Sequence, residues 1–297
     1  MGEAKKKVLF IINPKAGITP KIETLLRLQV GLLFGSGSEK SIVFTKHPHH
    51  ATELARQAVA DGYDIIVAGG GDGTINEVAT ALYGTGVPMG ILPFGSGNGL
   101  ARHLKIPLTL IQALRVIARG KTKYIDTVQI NDRLFTSIAG IGYDAVVAEK
   151  FDKSEVRGLL SYTAIILKDY RHYQCKSYRI IADGQKYERE AMMVSFANSD
   201  QFGFHARIAP QACSSDGWLD VCIVRKPTLF KATFVVVPRV FTGGFGKTNY
   251  AEYLRVKTLD MPGTAGSVVN IDGEPARLQH DLHLEVKPLT LNVIVPG

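Results

Sequence analysis

The sequence predicts two domains of different class: an N-terminal doubly wound parallel α/β domain and a C-terminal antiparallel β-sandwich. Three observations carry this. The chain has 297 residues, about twice a common domain length of roughly 150. Over residues 1–120, apolar runs of strand length alternate with stretches of helical periodicity, the pattern of a parallel sheet. Beyond residue 121 the pattern changes to short strands separated by turn signals, as in sandwiches and open barrels.

Taken in order, residues 8–12 are a continuous apolar run that suits a strand buried on both faces. Residues 20–34 carry Ile22, Leu25, Leu26, Leu28, Leu32 and Leu33 at helical spacing. Strands at 41–44, 64–68 and 89–94 alternate with helices at 51–60, 74–83 and 108–119. In the second half, 124–130 and 134–138 form a hairpin. A second hairpin joins 176–182 to 185–195 through Asp183-Gly184, which suits a type I′ turn. Further strands are expected at 218–224, 255–259, 268–272, 282–286 and 291–295, and helices at 159–170 and 229–241. The boundary falls between 122 and 123, giving an α/β domain at 1–122 and a sandwich at 123–297, with the last strand free to return to the first domain.

Composition removes several function classes. Hydrophobic residues are 45% and charged residues 21% of the chain, enough apolar material for packed cores and against disorder. The three cysteines, Cys175, Cys213 and Cys222, contain no C-x-x-C, against a disulfide framework or a structural zinc site and in favour of a reducing, cytoplasmic compartment. No run approaches the roughly 18 apolar residues of a membrane span, and 8–12 is too short for a signal-peptide core. The net charge of +8 points to nucleic acid, anionic membrane or anionic substrate. No interleaved basic-aromatic stripe supports nucleic acid.

Three glycine-rich loops follow the first, third and fourth strands, and a parallel sheet brings all three to its carboxyl edge. The first is Asn13-Pro14-Lys15-Ala16-Gly17. The second is Gly69-Gly70-Gly71-Asp72-Gly73-Thr74-Ile75-Asn76-Glu77. The third is Gly95-Ser96-Gly97-Asn98-Gly99. Glycine lets a backbone approach phosphate closely, and the free amides of a helix N-terminus favour an anion. Asp72 is out of place beside phosphate unless a cation or a proton transfer compensates, so it suggests Mg²⁺ or a hydroxyl acceptor. Neither the dinucleotide fingerprint nor a Walker A loop is present.

Asn-Pro-x-Ala-Gly, Gly-Gly-Asp-Gly-Thr-x-Asn-Glu and Pro-x-Gly-Ser-Gly-Asn, in this order, resemble the soluble lipid kinases: bacterial diacylglycerol kinases and their sphingosine and ceramide kinase relatives. Ser215-Asp216-Gly217-Trp218-Leu219-Asp220-Val221 and Ile271-Asp272-Gly273-Glu274 extend the resemblance into the second half. The resemblance implies an active site in an interdomain cleft and an ATP- and Mg²⁺-dependent transfer to a lipid hydroxyl, on a diacylglycerol-like or sphingoid-base lipid. It assigns ATP to Asn13, Pro14, Lys15, Ala16, Gly17, Thr45, Gly70, Gly71, Asp72, Gly73, Thr74, Ile75, Asn76, Glu77 and Ser96. It offers Asp272, Glu274 and Asp72 as general bases, the Asp-Gly-Glu pair first. It assigns a structural Mg²⁺ to the Asp216 carboxylate, with Cys213 and Trp218 contributing backbone carbonyls. On a regular strand Asp272 and Glu274 share a face; the plain alternative for Asp272-Gly273 is a β-turn. Gly99 stands where many bacterial diacylglycerol kinases have Asp, which leans toward the sphingosine branch.

The expected partners are a lipid substrate and a peripheral membrane surface, in a cytoplasmic, peripherally membrane-associated protein, with no nucleic acid; a homodimer is compatible with the sequence. His47, His49 and His50 read as loop residues rather than metal ligands, and Arg157 as a distant nucleotide contact. The competing functions are an NAD-kinase-like small-molecule kinase and a non-catalytic nucleotide- or lipid-binding regulator.

Overall fold

A computed structural model describes residues 6–34, 37–152 and 170–297. The chain divides into two units: Met1–Ile125 with Leu289–Gly297, and Asp126–Pro288. The last nine residues thus belong with the first unit, and the boundary lies three residues beyond the expected one.

The first unit is built on parallel strands β1 (Lys6–Ile12), β2 (Ser38–Phe44), β3 (Ile65–Gly70) and β4 (Met89–Pro93). The last strand, β16 (Leu282–Ile294), adds its end beside β4, with Val293 opposite Met89. The order β2-β1-β3-β4 sends the chain one way from β1 and the other way at β3, a topological switch point between neighbouring strands. Helices α1 (Pro20–Phe34), α2 (His50–Ala60) and α3 (Asp72–Leu82) make the crossovers; α4 (Gly99–His103) and α5 (Leu110–Arg119) follow β4. Every residue of β3 and β4 is buried, so both faces of the sheet are covered. Helix α1 packs beside α5 and α2 beside α3 to cover them. The run at 8–12 is apolar for this reason: Phe10, Ile11 and Ile12 have no exposed surface.

The second unit is an antiparallel sandwich. One sheet has the order β12-β11-β10-β7-β14-β15, formed by β7 (Ile138–Gly142), β10 (Met193–Ala197), β11 (Leu219–Val224), β12 (Ala251–Val256), β14 (Val268–Ile271) and β15 (Glu274–Arg277). The other uses β8 (Lys176–Ala182), β9 (Gln185–Ala191), β13 (Thr258–Met261) and the start of β16, with β5 (Thr122–Ile130) and β6 (Arg133–Phe135) paired beside it. Phe135, Leu259 and Leu284 from the second sheet meet Ile141, Phe196 and Val221 from the first in one buried cluster.

Differences from the sequence expectation have local causes. The expected strand at 134–138 breaks into β6 and β7 because the Thr136 and Ser137 amides turn to the Asp272 carboxylate. The run expected at 185–195 ends at Ala191. The Met192 amide then donates to the Val224 carbonyl, and β10 starts in the other sheet. The pair 282–286 and 291–295 is one strand, with Leu289 at φ +50° as its irregular point. Helix α6 (Tyr143–Asp152) was not expected. The helix expected at 159–170 and Arg157 lie outside the described residues, Tyr170 excepted.

Candidate active site

The three glycine loops lie side by side because β1, β3 and β4 are neighbours in register: Ile12 pairs with Gly69, and Gly69 with Leu92. The loops are also bonded to one another. Asn13 donates its backbone amide to the Gly69 carbonyl at 2.8 Å and its side-chain amide to Thr74 Oγ1 at 3.1 Å. Asn13 Oδ1 accepts the Lys15 amide, which folds the first loop on itself. Phe94 and Gly95 both donate to the Gly70 carbonyl. Asp72 accepts the Asn98 amide at 2.9 Å on one carboxylate oxygen and the Gly99 amide at 2.8 Å on the other.

This resolves the oddity of Asp72. Its charge is directed at the first amides of α4, where a carboxylate is favourable; its partners are backbone amides of the third loop. The glycines are required by contact. A Cβ on Gly95 would stand 2.5 Å from Gly71 Cα, and one on Gly70 would stand 2.5 Å from Thr74 Oγ1. Helix α3 begins at Asp72 with Gly71 before it and no side-chain cap. A helix N-terminus without a side-chain cap favours an anion. Asn98 Oδ1 is buried without a partner. Uncapped amides and a cradle that a Cβ would fill fit a nucleotide's phosphates. Lys15 and Ser96 are exposed at the loop tips, and the Thr45 amide bonds to the Ile12 carbonyl, placing it at the end of β2.

Two expected nucleotide residues have other roles. Ile75 is 1% exposed and packs in the core. Glu77 caps α2: its two carboxylate oxygens accept the His49 and Ala51 amides, each at 3.0 Å. His47 and His50 stack at 4.5 Å between ring centroids, and with Glu53 bring three ligand atoms within 4.8 Å. His50 Nδ1 already accepts the Lys46 amide.

In the second unit Asp272 and Glu274 do not alternate on one strand. Asp272 (φ +47°) and Gly273 (φ +91°) are the two central residues of the β14–β15 hairpin, with Ile271 opposite Glu274. Positive φ at both positions is the type I′ requirement, so the β-turn alternative is the correct one. Asp272 is buried and accepts four hydrogen bonds, from the Thr136, Ser137 and Ile138 amides and Thr136 Oγ1, at 2.9–3.0 Å. Its lone pairs are committed. Glu274, just past the turn, is exposed.

At the turn assigned to a structural Mg²⁺, Asp216 offers the one carboxylate of the assigned set, and its oxygens are engaged within the fold. Asp216 is ion-paired with Arg255 and accepts the Trp218 amide. The Trp218 ring lies under Arg255 and Lys257, at 5.6 and 4.8 Å. Cys213 Sγ lies 3.6 Å from Ser215 Oγ.

Sequence reasoning missed Asp144, at the start of α6. It is 5% exposed, and neither carboxyl oxygen has a hydrogen-bond partner. Burial pushes its pKa up to about 7, with the Ala145 amide and Asn270 nearby pulling the other way. Tyr173 and Tyr178 also keep buried, unpartnered hydroxyls, and burial raises both phenols. These tyrosines line a cavity of about 250 Å³ with Gly142, Ala145, Ser177 and Thr264. A signal existed in Gly140-Ile141-Gly142-Tyr143-Asp144: a Cβ on Gly140 would stand 2.0 Å from Asp144 Oδ2.

Residues 7–130 match the family described as "Diacylglycerol kinase catalytic domain", and residues 137–295 match the "YegS C-terminal NAD kinase beta sandwich-like domain". A Pseudomonas aeruginosa protein named "Probable lipid kinase YegS-like" is 31% identical, over 99% of this chain and 95% of its own length. A Mycobacterium tuberculosis protein named "Diacylglycerol kinase" is 27% identical, over 84% of this chain and 82% of its own. A crystal structure described as a diacylglycerol kinase from Bacillus anthracis superposes with a TM-score of 0.74 at 24% identity, covering 98% of this chain and 97% of that one. That likeness speaks for the fold.

Proposed function

This chain belongs to the lipid kinase family of diacylglycerol kinase catalytic domains, and from that premise we propose that it transfers the γ-phosphoryl group of Mg²⁺-bound ATP to a hydroxyl of a membrane lipid. One observation carries the nucleotide half of this reading: three loops bonded into a single cradle, with the amides of α3 left uncapped at its centre. Phosphoryl transfer asks little covalent chemistry of the protein; it asks for positioning and charge neutralisation. The Gly70–Thr74 backbone and Asn13 would hold phosphate oxygens, and the exposed Lys15 and Ser96 would close on them. Bound Mg²⁺ would neutralise the charge that develops between the β- and γ-phosphates.

A lipid hydroxyl needs a proton acceptor. We assign that role to Glu274. The acceptor must reach a substrate that arrives from solvent; Glu274 is exposed, whereas Asp272 is buried beneath four hydrogen-bond donors. Asp272 is then a positioning residue that fixes the turn from which Glu274 projects.

The test is transfer of radiolabel from [γ-³²P]ATP to diacylglycerol, monoacylglycerol, a sphingoid base, ceramide and phosphatidylglycerol in detergent micelles, with NAD as a separate acceptor. Label in one of the lipids, dependent on Mg²⁺, is expected. Label in NAD alone would replace the lipid reading with a small-molecule kinase, and label in nothing would leave a non-catalytic binder.

A further inference from the structure

The helical segment from Leu229 to Thr242 consists of an α-turn at Leu229–Lys231, a π-helical turn at Ala232–Val236 and an α-helix at Val237–Thr242. One set of its positions faces inward: Ala232 is buried, and Leu229, Val236 and Val240 pack against the cluster that holds Phe245. The other set is as apolar but faces out. Phe230 is 70% exposed, Phe234 66%, Val237 47% and Phe241 43%. The rings of Phe230 and Phe234 lie against each other, 4.9 Å between centroids. A globular helix normally presents charge opposite its buried stripe; one apolar all round is covered by something.

The charge around the segment says what covers it. From Val221 to Ala251 there is no Asp or Glu, while Arg225, Lys226, Lys231, Arg239 and Lys247 are all basic. Lys231, Arg239 and Lys247 are exposed within and just after this segment. Aromatic side chains projecting from a helix with basic flanks match the acyl boundary and the anionic headgroups of a bilayer. The other exposed apolar stripe, Leu25, Leu28 and Leu32 on α1, lacks this setting, since its Arg27 is paired with Glu23.

We propose that Phe230, Phe234, Val237 and Phe241 insert into an anionic lipid surface, with Lys231, Arg239 and Lys247 contacting its headgroups. The proposal rests on the lipid-kinase reading for its biological sense, and it names the face that brings this enzyme to its substrate.

The experiment is flotation of the full chain with vesicles of phosphatidylcholine alone or mixed with phosphatidylglycerol. Wild type should float with the mixed vesicles and bind pure phosphatidylcholine about tenfold more weakly. The triple variant Phe230→Ser, Phe234→Ser, Phe241→Ser and the charge variant Lys231→Glu, Arg239→Glu should each lose about tenfold in binding to mixed vesicles. Both should keep the wild-type thermal midpoint and the wild-type rate on lipid dispersed in detergent micelles. Leu28→Ser with Leu32→Ser on α1 should bind as wild type does. Unchanged flotation of the triple variant overturns the proposal. So does a wild-type dimer that the triple variant splits to monomers, because the stripe would then be covered by a second copy. If wild type phosphorylates no lipid in micelles yet flotation behaves as stated, the kinase reading fails and the docking face stands.

Discussion

Two carboxyl groups of the second unit sit one residue apart in sequence and in opposite physical situations. Asp272 has four donors on its oxygens and no exposure to speak of; Glu274 is open to solvent. Asp272→Asn would turn an amide group toward backbone donors, leaving buried donors unsatisfied at about 1–3 kcal/mol. It should lower the thermal midpoint along with activity. Glu274→Gln should leave the midpoint unchanged and reduce kcat by roughly 10²–10⁴; paired melting curves and single-turnover rates separate the two roles. Asp144 yields a second prediction, in pH. Its folded pKa of about 7 lies above the ordinary aspartate value of 3.8, so between these values the folded state holds a proton that the unfolded state has released. Stability therefore falls as pH rises from about 4 to 7, by an amount of order 4 kcal/mol. Asp144→Asn should flatten that slope and make the variant more stable than wild type at pH 8, as urea titrations at several pH values would reveal.

At the scale of elements, the loops act as one part. A Gly95→Ala variant places a methyl group 2.5 Å from the Gly71 backbone, which no rotamer change relieves. The second and third loops must separate, and the expected result is a rise of about tenfold or more in KM for ATP with a smaller loss of stability. Gly62→Ala is the control: Gly62 has φ +69° and nothing lies within 4 Å of its added Cβ, so only stability should change. These elements also show what a sequence can reveal. Residues 8–12, 64–68 and 89–94 were legible because a doubly buried strand must be apolar at every position. Asp183-Gly184 was legible because few dipeptides tolerate two positive φ values, and the structure has φ +46° and +82° there. Asp272-Gly273 carries the same signal, yet the neighbouring Glu274 suggested a strand face instead. Nothing local marks the partners of Asp72 and Glu77, which lie 26–27 and 26–28 residues away, or the burial of Asp144. Burial and hydrogen bonds to distant backbone are properties of the fold, and motif residues alone do not reveal them.

At the scale of the molecule, the chain is not two beads in series. Its last nine residues belong to the unit that holds its first. Leu291 and Val293 have no exposed surface and Ile294 has 1%, and the Val295 amide donates to the Lys121 carbonyl at 2.8 Å. Burying three such side chains contributes about 1.5–3 kcal/mol each. Their sum is comparable with the roughly 5–15 kcal/mol by which a whole domain is stable. A fragment ending at residue 122, the boundary suggested by composition and pattern, leaves the β4 edge without its neighbour and exposes the apolar surface that β16 covers. That fragment should be insoluble or molten, although it retains every residue of the three phosphate loops. In the full chain, Leu291→Ala with Val293→Ala should lower the thermal midpoint and weaken binding of an ATP analogue, while Leu289→Ala, half-exposed at the strand's irregular point, should do neither. Nucleotide binding by a well-folded 1–122 fragment would show that the last strand is dispensable. Loss of binding in the double variant, more than 190 residues from any loop in sequence, would show that the nucleotide cradle depends on the final strand of the chain.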